Sequence, residues 1–264
     1  MTRTVLIVYA HPDRASLNGA LRDVAVDQLR ELGHRVLLSD LYAMDWKAVF
    51  DGHDFLDRRD VARLALAAES GHAYASGTQT PDVTGEQEKL AAADAVIFQF
   101  PFWWFSVPAI LKGWIDRVFA YGLAYGFRGA GNTYRYGEGG LAGKRALLST
   151  TIGGPTIDYS PRGINGPLDD LLFPITHGTL FFAGMSVLPT HAIYDVGQME
   201  ADAAAAVFLH WRARLSGLFS DQPIAFRRQN AGDYPDRHVL GRCVVPGLTG
   251  FAAHIASPEG GEVP

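Results

Sequence analysis

Three short stretches of this chain combine residue types suited to ligand binding, and each follows an apolar run. The most distinctive is Pro101-Phe102-Trp103-Trp104-Phe105, where four large flat side chains stand between Phe100 and Ser106-Val107-Pro108. Aromatic faces in a turn after a strand offer a wall for a flat, aromatic ligand; the competing reading is a hydrophobic loop buried by a partner subunit. The second stretch, His11-Pro12-Asp13-Arg14-Ala15-Ser16-Leu17-Asn18, lacks both the glycine-rich dinucleotide fingerprint and the P-loop spacing. Where a strand feeds a helix, however, free N–H groups and the positive end of the helix dipole suit a phosphate. Ser16 and Asn18 could add donors there, and His11 or Arg14 charge. A capped helix beneath a solvated loop fits the same residues. The third stretch, Thr150-Thr151-Ile152-Gly153-Gly154, sets two hydroxyls beside two glycines that let backbone N–H groups come close to a ligand.

These stretches need a scaffold that brings strand ends together. Thr4 to Ala10 is a continuous β-branched and apolar run, as for a strand covered on both faces. Ser16 to Leu32 has helical spacing of Leu17, Leu21, Val24, Leu29 and Leu32, with Ser16 as N-cap and Gly33 as its stop. Arg35–Ser39, residues 95–100, Lys144–Thr151 and Ser186–Tyr194 read as four further strands. Helices are expected over a turn or two at Glu86–Ala92 and over Pro108–Phe119, Pro167–Phe182 and Glu200–Phe219. Residues 40–85 read as a polar surface excursion with one helix near Asp60–Ala68, and Tyr121–Gly143 as a long Gly- and Tyr-rich loop. Strand–helix alternation implies an α/β fold with a doubly wound, five-stranded parallel sheet. The flavodoxin-like order 2-1-3-4-5 fits, and its switch point between the first and third strands is where such sheets bind ligands. Residues 1–219 form this domain, and residues 220–264 form a C-terminal extension.

Composition narrows the partners. The chain has 264 residues, 48% of them hydrophobic, and a formal charge of −5, enough for a sizeable core and giving no reason to expect nucleic acid or an anionic membrane. The single cysteine, Cys243, cannot form an internal disulfide, which suits a reducing, cytoplasmic setting. The first strand begins almost at once, leaving no room for a secretion signal, and no apolar run reaches membrane-spanning length. No His, Cys, Asp and Glu spacing matches a closed metal site, so no metal is expected. His177 and His191 read as helix-end or core histidines, and Lys112 and Trp114 as packing or dimer residues.

The three strand ends together suit a flavin: phosphate on the first helix, ring against the aromatics, and backbone donors toward the ring's polar edge. The motif Phe98-Gln99-Phe100-Pro101-x-x-Trp104-Phe105-Ser106-Val107-Pro108-Ala109-Ile110-Leu111-Lys112-Gly113-Trp114 resembles the signature of the NAD(P)H:quinone oxidoreductase family, the DT-diaphorases. So do Ser39-Asp40-Leu41-Tyr42-Ala43-Met44, Thr150-Thr151-x-Gly153-Gly154 and Tyr159-x-x-x-Gly163-Ile164-Asn165-Gly166. The likeness is collinear from about residue 3 to residue 219 and weak at 50–80, at 126–143 and in the tail.

The resemblance implies a homodimeric flavoprotein with active sites at the interface, using FAD rather than FMN. It implies ping-pong hydride transfer through flavin N5, from NADPH or NADH to a quinone. It carries cofactor binding onto His11, Ser16, Leu17, Asn18, Phe102, Trp103, Trp104, Phe105, Thr150, Thr151, Gly153, Gly154 and Tyr159. Substrate stacking falls to Trp104 and Phe105, with Tyr125 and Phe127 supplied by the partner subunit. Catalytic roles fall to Tyr159 and Asn165. Where DT-diaphorases use a Tyr and a His to relay a proton, this chain keeps the tyrosine and has Asn165, as in the ribosyldihydronicotinamide-using branch. Asparagine donates hydrogen bonds but takes up no proton, leaving the relay to Tyr159 and bound water. The tail would pack on the partner or on the adenosine end of the cofactor. Two other roles suit the same residues: a nitro- or azo-reductase, and an ancillary subunit of a potassium efflux channel.

Overall fold

In the computed structural model, which describes residues 1–126 and 131–256, the alternation of side chains along each strand builds two separate cores. β1 (Thr4–Tyr9), β3 (Ala95–Pro101) and β4 (Arg145–Thr151) are buried nearly throughout, and β2 (Arg35–Asp40) forms one edge. Successive residues point to opposite faces. Leu6, Val8, Val96, Phe98 and Leu148 therefore pack with α3 (Pro81–Ala92), α4 (Ala109–Val118) and α5 (Leu168–Ile175). Val5, Ile7, Ala95, Ile97 and Leu147 meet α1 (Leu17–Glu31) and α6 (Ala201–Ser216) on the other face. All strand pairs are parallel, in the order β2-β1-β3-β4-β5, which is the flavodoxin-like α/β arrangement expected from the alternation of elements.

The fifth strand departs from expectation by splitting. β5 (Ser186–Val187) pairs with the start of β4, whereas β6 (His191–Ile193) pairs with its end. Pro189 lies in the gap and has no N–H for the ladder. The helix expected over Pro167–Phe182 also changes character: α5 ends at Ile175, and Thr176–Phe181 is wound as a π-helix. Pro174 lies inside this segment, and its carbonyl accepts from the Thr179 hydroxyl at 3.0 Å. Proline supplies no amide to the preceding turn, so the helix widens beyond it.

The excursion is more ordered than its composition suggests. Its helix, α2, spans Leu66–Ser76 rather than Asp60–Ala68, and α3 runs the full length from Pro81. Residues 59 and 60 belong to a loop whose two N–H groups donate to the buried Glu69 carboxylate at 2.8 and 2.9 Å. Arg117 on α4 clamps the excursion, donating to Asp54 at 2.8 Å and Asp82 at 2.6 Å while lying over the Trp46 ring. Gly113 permits this approach, because a Cβ there would sit 2.0 Å from the Ala48 carbonyl oxygen. After α6 the chain returns to its own domain: the Ile224 N–H donates to Val187 O, and Phe226 is buried. Among the described residues, no helix is long and apolar enough to cross a membrane.

Candidate functional site

Parallel strands place the loops after β1, β3 and β4 at one end of the sheet, on either side of the switch point between β1 and β3. The loop after β1 is shaped by Ser16, which caps α1 by accepting from Gly19 N at 3.2 Å and donates to Asp13 O at 2.6 Å. His11 Nδ1 lies 3.0 Å from the Ser16 hydroxyl and 3.1 Å from Asp13 N, which fixes the ring against the loop. Gly19 is a residue that sequence reasoning missed: a Cβ there would lie 2.0 Å from Arg14 O, so only glycine lets this loop fold onto the first helical turn. Leu17 anchors the turn in the core, and the first N–H groups of α1 are left without intrahelical partners.

The aromatic stretch after β3 is a tight turn. Trp103 and Ser106 exchange backbone hydrogen bonds of 3.2 and 3.1 Å, and the two residues between them, Trp104 and Phe105, have φ of 50° and 59°. Positive φ at both central positions is the type I′ geometry that Asn-Gly favours, and here two bulky aromatics are held in it. Trp104 is 95% exposed, Phe105 47% and Trp103 43%. Hydrophobic burial within this chain therefore does not explain the arrangement. Trp103 has its ring 6.2 Å from that of His11, and so links the aromatic turn to the first loop.

Buried hydrogen bonds hold the three loops together. Asn18, only 3% exposed, donates from Nδ2 to Thr151 Oγ1 at 2.6 Å, and Gln99 Nε2 donates to Asn18 O at 2.6 Å. Phe102 N donates to Thr151 O at 2.8 Å, and Ala10 N to Gln99 O at 2.9 Å. Among the described residues, Asn18 Oδ1 and Gln99 Oε1 are buried without a partner on the α1 side of the sheet, and Thr150 Oγ1 is buried without one on the opposite face, beside Phe100. Gln99 was legible as a polar residue between Phe98 and Phe100 in an otherwise apolar strand.

Beyond β4, Gly153 is open: a Cβ there would meet nothing within 4 Å. Tyr159 ends a short 3₁₀ turn (Thr156–Tyr159), with its ring 6.1 Å from Phe102 and 5.6 Å from Tyr194. Burial, and then Asp169, push the Tyr194 phenol above its usual range. Asn165 N donates to Asp158 O at 2.9 Å, which ties that residue to the Tyr159 turn, and the Asn165 side-chain amide makes no hydrogen bond among the described residues. Gly163 is required between them, since a Cβ there would lie 2.3 Å from Asp158 O.

The structure thus brings the stretches 11–18, 102–105 and 150–154, with Tyr159 and Asn165, to one end of the sheet. It does not bring Tyr125 there. Tyr125 follows α4 at the opposite end, its ring 5.3 Å from Tyr121, and burial raises its phenol pKa. Phe127 lies outside the described residues. His191 is a core residue, its Nδ1 3.1 Å from Ser149 Oγ and its ring stacked on Trp211 at 4.4 Å; burial holds its pKa at about 4. Among the described residues, no group of three or more His, Cys, Asp or Glu gathers as metal ligands would.

The residues present fit a flavin. The cradle offers free helix N–H groups, an open glycine backbone, unmet polar atoms beneath it and an exposed aromatic turn at its mouth. Residues 3–215 match the family model described as a flavodoxin-like fold. A ribosyldihydronicotinamide dehydrogenase-like protein of Penicillium crustosum is 48% identical over 87% of this chain and 86% of its own length. NAD(P)H dehydrogenase [quinone] 1 of Rattus norvegicus is 40% identical over 85% of the chain and 80% of its own. A Klebsiella pneumoniae crystal structure, assigned provisionally as a quinone reductase, superposes with a TM-score of 0.93 at 49% identity, over 97% of this chain and 100% of that one.

Proposed function

The chain belongs to the flavodoxin-like NAD(P)H:quinone oxidoreductase family, and from that premise we propose that it is a flavin-dependent quinone reductase. When bound, the flavin supplies the redox chemistry, accepting hydride from NAD(P)H and passing it on to a quinone in alternation. FAD is the cofactor on this reading, and the working unit is a homodimer in which Tyr125 of one subunit faces the site of the other. The observation that carries the reading is the type I′ turn at Trp104–Phe105. Two exposed aromatics held in a costly backbone conformation make sense as a preformed stacking surface.

The residues divide the work. The N-terminus of α1, with Ser16, Leu17, Asn18 and His11, holds phosphate. Phe102 to Phe105 form the wall for flat rings. Thr150, Thr151, Gly153 and Gly154 present backbone and hydroxyl donors to the edge where negative charge develops. The Tyr159 hydroxyl gives and takes the proton that accompanies hydride movement. Asn165 donates from its uncommitted amide, orienting without moving a proton.

The test begins with purified protein. A yellow flavin spectrum and quinone-dependent oxidation of NADPH or NADH are expected, whereas a colourless protein that cannot be reconstituted with FAD would refute the reading. Tyr159→Phe should slow flavin reduction in anaerobic stopped-flow measurements by roughly a hundredfold while flavin stays bound. An unchanged rate would remove Tyr159 from the relay.

A further inference from the structure

A second cavity, of about 260 Å³, lies at the other end of the sheet. The loop that enters it donates from Tyr136 N and Gly137 N to the carbonyls of Phe182 and Phe181, just before β5, which pairs with the first residues of β4. One side is a ladder of four rings drawn from three parts of the chain. Phe251 stacks on Phe173 at 4.3 Å, Phe173 on His177 at 4.5 Å, and His177 on Tyr136 at 4.9 Å. The C-terminal tail adds Tyr234, whose hydroxyl lies 2.8 Å from His254 Nδ1.

The two arginines at this cavity make no ion pair among the described residues. Elsewhere the fold pairs its inner arginines with carboxylates: Arg22 with Asp40, Arg117 with Asp54, Arg227 with Asp233. Arg135 instead gives Nε to Gln229 at 2.9 Å and lies 5.5 Å from the centre of the Tyr136 ring. The side chains of Arg237 and His238 are exposed at the rim of the cavity and make no hydrogen bond or ion pair among the described residues; no Asp or Glu is among its described lining residues, although Asp236 adjoins Arg237 in the chain. Arg237 is also held at φ 65°, a left-handed conformation a bulky residue rarely adopts. His177 Nε2 is buried with no hydrogen-bond partner among the described residues.

We propose that this cavity is a second ligand site, distinct from the crevice at the strand ends, and that it takes a flat aromatic carboxylic acid. The ring packs among the aromatic side chains, the carboxylate meets Arg135 and Arg237, and an acceptor or donor on the ring meets His177 Nε2. Burial holds His177 neutral, with a pKa of about 4, so it acts as a hydrogen-bonding group and not as a charge. Aromatic walls select against a bare inorganic anion, and two guanidinium groups without counter-ions select against a neutral ring. The proposal does not depend on the redox reading.

The test uses the flavin-loaded protein with 2-naphthoate as probe and 2-naphthamide as its uncharged counterpart, both followed by calorimetric titration. Saturable binding of the acid is expected, with the amide weaker by about tenfold or more. Arg237→Gly, a change the left-handed backbone accommodates, should weaken the acid by about tenfold and leave the amide unaffected. A saturating benzoquinone, which occupies the flavin face, should leave binding of the acid to the oxidised protein unchanged. Competition by the benzoquinone would place the acid on the flavin face and overturn the proposal. So would equal affinity for acid and amide, or no saturation with either probe.

Discussion

Trp104→Gly separates the two roles assigned to the aromatic turn, because it removes the ring and relieves the backbone together. The indole presents on the order of 200 Å² of surface, and at 95% exposure almost all of it is open to a ligand. Covering one face removes roughly 100 Å² from water, worth about 2.5 kcal/mol at ~25 cal/mol per Å². That predicts flavin affinity lower by roughly 70-fold, read from quenching of flavin fluorescence on titration. Stability of the flavin-free protein should scarcely change. Releasing φ 50° regains about 1 kcal/mol, and the added chain freedom of glycine costs about 0.5–1 kcal/mol. The melting temperature should therefore stay within about 3 °C of wild type. Trp104→Ala, which keeps the strain, should lose the same affinity without the relief. Unchanged flavin affinity would show that the indole is not the wall. A loss of many degrees in the flavin-free protein would show that a partner subunit already buries it.

Three further expectations follow from the same geometry. Thr151→Val removes the acceptor for Asn18 Nδ2 at 2.6 Å and leaves a buried amide unpaired, so the melting temperature should drop by an amount equivalent to about 1–3 kcal/mol; an unaltered melt would deny that bond its role. Gly153→Ala adds a methyl where the protein has nothing within 4 Å, so the flavin-free melt should match wild type while flavin binds about tenfold more weakly, and equal affinity would mean that no ligand lies against that backbone. His191 has a folded pKa of about 4 against an ordinary 6.5, so between these values the unfolded chain binds the extra proton and stability falls as pH is lowered. The loss reaches about 3 kcal/mol near pH 4, His177 adds to it in the same direction, and His191→Phe should flatten the slope in denaturant titrations between pH 6.5 and 4.

Much of the scaffold was legible because its strands are unbroken apolar runs and its stops are strong: Gly33 ends α1 at φ 80°, and Ser16 caps it as read. The split of the fifth strand was signalled only by Pro189, which a run-length reading overrides. The position of α2 was not legible, because it depends on Glu69 reaching two backbone N–H groups nine and ten residues earlier in the chain. The π-helix depends on Pro174 and on the Thr179 hydroxyl, a local competition that periodicity does not register. Each stretch expected in the crevice lies at the right end of the sheet. The left-handed backbone of Trp104 and Phe105 was invisible, since nothing in a pair of aromatics suggests a turn that favours glycine. Gly19 was missed for the opposite reason: its close neighbour, Arg14 O, is a backbone atom that leaves no mark in composition.

Buried Asn18, through its side-chain amide and its backbone carbonyl, also bears on kinetics. Its contacts with Thr151 and Gln99 join the loops after β1, β3 and β4 through bonds that lie under the surface, at the ends of the central strands. Those loops open only when the sheet ends open, so their amide exchange belongs with that of the core rather than with surface fraying. A cofactor arriving at such a cradle meets a receptor already in its bound shape and loses little loop entropy on docking. Its departure is then governed by the ligand's own contacts, and not by a gate in the protein.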